Sequence, residues 1–142
     1  MSREILFKAK RIDNGEWVEG SYLYTCIDEK TCHIVGVLKQ NYYIVLKNRF
    51  VVEIDLTTLC QYTGLTDYDG KKIFEKDIIR LHDMTAEDYI VGWRKDMGAY
   101  VLCDINKKAK LIDLVGDCVQ ETHYVEVIGN IFDNPELLGG EE

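Results

Sequence analysis

Two pairs of closely spaced carboxylates, Asp67 with Asp69 and Glu75 with Asp77, are the residues of this 142-residue chain best placed to do chemistry. On a strand, an i, i+2 pair shares one face, where it could hold a metal or divide acid–base work. Asp67 and Asp69 also precede Gly70, as in a calcium loop. That loop needs a ligand five residues before the glycine and a bidentate Glu six after it. Leu65 and Lys76 stand there instead, and Glu75 is out of register, so a solvated turn is expected. Glu75 and Asp77 remain the leading charged candidates for a site.

Other chemistries find less. Cys26, Cys32 and His33 give a Cys-x5-Cys-His spacing, whereas structural zinc uses Cys-x2–4-Cys knuckles. There are two serines, Ser2 and Ser21, neither in a Gly-x-Ser-x-Gly elbow. His33, His82 and His123 have no sequence relation that would pair them with Cys60, Cys103 or Cys118 as base and nucleophile. Phosphate-cradling glycine motifs are absent. The sequence therefore predicts no catalytic residue, no metal and no cofactor. Enzyme action ranks last among the readings.

The net charge of −8 disfavours broad contact with nucleic acid. Lys71-Lys72 with Lys76, and Lys107-Lys108 with Lys110, read as solvated loop and edge charges. Tyr62, Tyr89, Trp93 and Tyr100 could form a stacking platform for single-stranded nucleic acid, but core or subunit packing suits the acidic balance better. Five cysteines at wide spacings, behind an N-terminus that reads directly into a strand, suggest reduced thiols in the cytoplasm of a bacterial host. No apolar run is long enough to cross a bilayer.

The elements that would position these residues are strands. An apolar content of 46% and a single proline fit a packed, β-rich domain. Residues 3–9 alternate, with Ile5, Phe7 and Ala9 on one face. Asp13-Asn14-Gly15 marks a tight turn before a strand at 17–24. Segments 32–38, 42–46 and 50–54 are strand-like. Gly64 should end the run Leu59–Tyr62, and Asp67-Tyr68-Asp69-Gly70 should turn the chain into Asp77–Leu81. Residues 88–93 and 98–103 pair through the intervening loop. Leu111, Leu114, Val115 and Cys118 sit at helical spacing and predict one short helix around 111–119. Gly129 inside an apolar run suggests a bulge or close backbone contact, and Asn134-Pro135 turns the chain.

Three segments, 3–9, 61–81 and 124–138, resemble the YopX-type family of phage and prophage proteins. They carry an Arg-Glu-Ile-x-Phe-x-Ala strand, the Gly64 to Arg80 stretch, and the Glu-Val-Ile-Gly-Asn-Ile-aromatic-x-Asn-Pro-Glu-Leu-Leu ending. The resemblance makes Gly64, Asp67, Asp69, Gly70, Asp77, Gly129, Asn130, Asn134 and Pro135 the structural motif. It implies a phage or prophage origin but no reaction, since the family carries no established activity. Lys10 stands where the family often has tryptophan. Lys76 stands where it commonly has glycine, which suggests a position needing neither positive φ nor tight backbone contact.

The expected architecture is a mainly β single domain over 1–142, with an N-terminal β lobe (1–58) and a C-terminal β lobe (59–138). The second lobe would be a small bent antiparallel sheet or an SH3-like barrel. The expected function is that of a non-enzymatic accessory protein working through an unidentified protein partner and forming homo-oligomers. The alternative is a small β-barrel that binds single-stranded nucleic acid.

Overall fold

The computed structural model describes residues 4–27, 39–82, 88–96, 98–105, 111–114 and 125–138. The mainly β expectation is met: ten antiparallel strands and one 3-10 turn, Pro135–Leu138, make up its regular structure. The chain divides between Gln61 and Tyr62 into two compact units.

The N-terminal unit holds β1 (Phe7–Arg11), β2 (Trp17–Ile27), β3 (Lys39–Val45) and most of β4 (Val51–Thr66). Each strand pairs with the next, and β1 also pairs with β4, so the four close into a ring. Closure leaves no lateral edge within the ring. Ala9, Ile44 and Ile54 are fully buried inside it, packed by Phe7, Val18, Tyr42, Leu46 and Leu59. Ile5, expected on that inner face, is 69% exposed because β1 begins two residues later. Lys10, in the place of tryptophan, lies with its ammonium 5.4 Å from the Trp17 ring, with Lys8 at 4.7 Å. The strand-like segment 32–38 lies outside the described residues.

The β1–β4 ladder is interrupted between Lys8 and Lys10. Thr58 fills the gap: its hydroxyl accepts the Lys10 N–H at 2.8 Å and donates to the Asp55 carbonyl at 2.7 Å. A second interruption lies where β4 pairs with β5 (Lys72–Phe74). Gly64 therefore does not end the strand. It sits inside β4 at φ +90°, within a bulge that the strand passes through before continuing to Thr66. The Thr63 hydroxyl donates to the Ile73 carbonyl and accepts the Leu65 N–H, replacing the ladder bonds the bulge removes.

The C-terminal unit carries a five-stranded sheet in the order β10-β6-β7-β8-β9. These are β6 (Asp77–Leu81), β7 (Asp88–Arg94), β8 (Ala99–Asp104), β9 (Leu111–Leu114) and β10 (Val125–Asn130). The β7–β8 hairpin pairs as the sequence predicts. Alternation packs one face into a core of Ile79, Leu81, Tyr89, Val91, Leu102, Val125 and Val127, joined by Ile73 from β5. The helix predicted at 111–119 does not form over its first turn. Leu111, Ile112 and Leu114 pair with Cys103, Leu102 and Val101 instead. The open side of β8 offers backbone partners that a four-residue helical turn could not supply for itself. Residues 115–119 lie outside the description.

Lys76 corrects the reading made from its side chain. It occupies the left-handed region at φ +69°. Its N–H donates to the Val91 carbonyl at 2.8 Å and its carbonyl accepts the Ile131 N–H at 3.1 Å, so both backbone groups are engaged. The turn Glu75-Lys76 requires positive φ whatever residue stands there.

Candidate functional site

Asp67 is the hub of the two C-terminal motif segments. It is not a solvated turn residue but 6% exposed. Oδ1 accepts the N–H groups of Asp69 and Lys71, each at 2.9 Å, and Oδ2 accepts the Val127 N–H at 3.0 Å. Around it, Asp67 N–H donates to the Lys71 carbonyl and Gly70 N–H to the Asp67 carbonyl, closing a three-residue hairpin loop with Gly70 at φ +84°. Next in the loop, Tyr68 N–H donates to the Val125 carbonyl at 3.0 Å. Three backbone donors leave this carboxylate little capacity for a cation. Asp69 contributes only its backbone N–H to that set, and its side chain is exposed.

Glu75 and Asp77 do not share an open face. Glu75 lies in the turn, while Asp77 begins β6 and is 2% exposed, its Oδ2 accepting the Phe74 N–H at 2.8 Å. It fastens the β5–β6 turn. The second motif segment turns on its two asparagines. Asn130 Oδ1 accepts the N–H groups of Phe132 and Asp133, and Asn134 Oδ1 accepts the Asn130 N–H at 3.2 Å. Gly129 lies at the bulge of the β10–β6 ladder, where a Cβ would collide with the Asn134 amide. Pro135 follows and opens the 3-10 turn.

The aromatic set divides. Tyr62 and Tyr89 are buried, Tyr62 against Phe74 at 5.4 Å, because both fall on core-facing positions. Trp93 is half exposed and meets Tyr100 edge-on at 4.9 Å. The four do not form one platform. Of the lysines, Lys71 is exposed, Lys72 and Lys76 are half-buried, and the 107–110 group lies outside the described residues. So do Cys32, His33 and Cys118. Cys60 and Cys103 are in no disulfide, and the Cys60 thiol donates to the Thr58 carbonyl at 3.3 Å.

One ion pair and one histidine–carboxylate contact span the solvent side of the sheet, and nothing in the sequence pattern announced them. Arg80 grips Asp88 with two bonds of 2.7 and 3.1 Å, and the hydrogen bond to Asp88 holds its guanidinium above the usual arginine value. His82 and Glu126 meet at 2.7 Å. In the N-terminal unit, Arg11 holds Asp13 in a fork of 2.9 and 2.8 Å, which keeps that carboxyl below its usual range. The adjoining hollow, of about 230 Å³, is lined by Arg11, Ile12, Asp13, Val51, Val52 and Glu53. That is smaller than the roughly 300–1,000 Å³ of a small-molecule site. Among the described residues, every buried side-chain nitrogen and oxygen has a hydrogen-bond partner.

The YopX protein family model matches residues 6–139, and so takes in both units and both halves of the Asp67–Val127 bond. The chain belongs to the YopX protein family. A similar fold occurs in the crystal structure of protein EF1440 from Enterococcus faecalis, with a TM-score of 0.54 and 20% sequence identity over 96% of this chain and 99% of that one. At that identity the likeness concerns the fold. No curated protein matches the chain. Within this YopX protein, the motif residues of the C-terminal unit serve turns, bulges and strand ends.

Proposed function

We propose that the chain is a non-catalytic protein-interaction module of phage or prophage origin that acts in the bacterial cytoplasm and self-associates. The observation that carries this reading is where apolar surface remains uncovered. Of the nine exposed large apolar side chains among the described residues, Ile5, Ile12, Leu23, Tyr24, Phe50, Val51 and Leu56 belong to the N-terminal unit, and only Tyr68 and Trp93 to the other. That ring buries a small core and keeps seven of these nine side chains outside it; where such side chains adjoin one another, they mark a surface that meets another protein. The phage or prophage origin follows from what resemblance to the family implies.

The test is light scattering over a wide concentration range, comparing the wild type with a Phe50→Ser, Val51→Thr variant. Self-association predicts a mass above the monomer that falls toward it in the variant. A strict monomer at every concentration would remove self-association. A pull-down from host cells that recovers the same proteins with both chains would remove this surface as the interaction site.

A further inference from the structure

Among the described residues, the strand β10 has one strand neighbour, β6. Its other edge is covered by groups that are not a strand. The Val125 carbonyl accepts the Tyr68 N–H, the Val127 N–H goes to the Asp67 carboxylate, and the Asn130 N–H goes to the Asn134 side chain. The Asp67 carboxylate takes the place a backbone carbonyl would hold in a sixth strand. The same carboxylate also ties down the loop it sits in, through the Asp69 and Lys71 N–H groups. Loop and edge therefore open together when it is lost.

An edge strand with free backbone groups is a template for another strand. β10 is self-complementary about a two-fold axis, because antiparallel pairing places each strand on the same edge of the other. Val125 and Val127 aim their backbone groups away from β6, so the natural centre of such a pair is Val127 opposite Val127 of the second copy. That register sets Glu126 against Ile128 and avoids two carboxylates face to face. A register centred on Glu126 would oppose like charges.

We propose that Asp67 latches the β10 edge, and that releasing it makes this edge a pairing surface for β10 of a second copy of the chain, with Val127 at the two-fold axis. Association through the apolar side chains of the N-terminal unit leaves the latch closed, so the two kinds of assembly respond to different substitutions.

The experiment compares the wild type, Asp67→Asn and Tyr68→Pro. Asparagine turns one of the acceptor oxygens into a donor, which faces either the Val127 N–H or both loop N–H groups. Proline removes only the N–H given to Val125, at a loop position that suits proline. Folded variants should form dimers at least roughly tenfold more readily than the wild type; in Asp67→Asn the Val127 amide should be protected from hydrogen exchange in the dimer more than in the monomer, whereas in Tyr68→Pro the Asp67 carboxylate still holds that amide in both. Adding Ile128→Glu should weaken that dimer by roughly tenfold and Ile128→Lys should tighten it, since residue 128 faces Glu126 of the other copy. Phe50→Ser should leave it unchanged. The proposal is overturned if whichever of the two variants folds stays no more associated than the wild type, or if the charge at 128 does not change the dimer.

Discussion

The carboxylate of Asp67 accepts the backbone N–H of Val127 at 3.0 Å, joining positions sixty residues apart in the chain. Two residues on, Asp69 turns the same kind of side chain to solvent. The pair makes a direct comparison. Asp67→Ala deprives three backbone donors of their acceptor in a buried setting. Each such loss costs on the order of 1 kcal/mol or more, so urea denaturation should show a loss of about 3 kcal/mol. Asp69→Ala should stay within about 0.5 kcal/mol of the wild type. Equal effects at both positions would mean the Asp67 bonds do not support the fold.

Lys76 offers a test of backbone strain. A side chain at φ +69° carries a left-handed cost of roughly 1–2 kcal/mol that glycine escapes. Lysine recovers part of it by placing its ammonium 5.6 Å from the Phe132 ring, a contact worth about 0.5–1 kcal/mol at an exposed site. Alanine has neither advantage. Thermal unfolding should rank Lys76→Gly at or above the wild type and Lys76→Ala below both. An alanine variant as stable as the glycine variant would show that the turn relaxes its φ.

Much of this architecture was legible because strand alternation and turn chemistry are local. Phe7 and Ala9, the β7–β8 hairpin and the Asp67 to Gly70 loop follow from neighbouring residues alone. What lay hidden depends on partners far along the chain. Gly64 is an obvious breaker until Ile73 arrives to pair across it and Thr63 repairs the ladder. Leu111–Leu114 fit a helix as well as a strand until β8 offers an open edge. Nothing near Asp67 says that its second oxygen reaches Val127, and nothing near Tyr62 or Tyr89 says which face the core takes. Lys76 misled for a different reason: residue type reports what a position prefers, while the turn geometry decides what it must adopt.

Thr63 is the residue that sequence reasoning passed over, and its role is sharply testable. Its hydroxyl both donates to the Ile73 carbonyl at 2.8 Å and accepts the Leu65 N–H at 3.2 Å in a buried bulge. Thr63→Val keeps the shape and removes both bonds, which should destabilise by roughly 1–3 kcal/mol. Thr63→Ser keeps the hydroxyl and should lose less. If valine and serine variants unfold at the same denaturant concentration, the hydroxyl is not what closes the bulge.

Tyr22 sets a pH dependence at the alkaline end. Burial raises its phenol above the ordinary tyrosine value of about 10, with Tyr42 adding to the shift. A raised value means that the fold favours the neutral phenol. Its contribution is therefore complete below the ordinary tyrosine pKa and is lost as pH rises through the raised one. Melting temperature should fall across that interval, and Tyr22→Phe, which cannot ionise but still packs beside Phe7, should fall less steeply. Ultraviolet titration of the folded protein should lose a tyrosine that ionises above the ordinary value in the same variant. Parallel melting curves for the two chains through the alkaline range would show that the fold does not favour the neutral Tyr22 phenol.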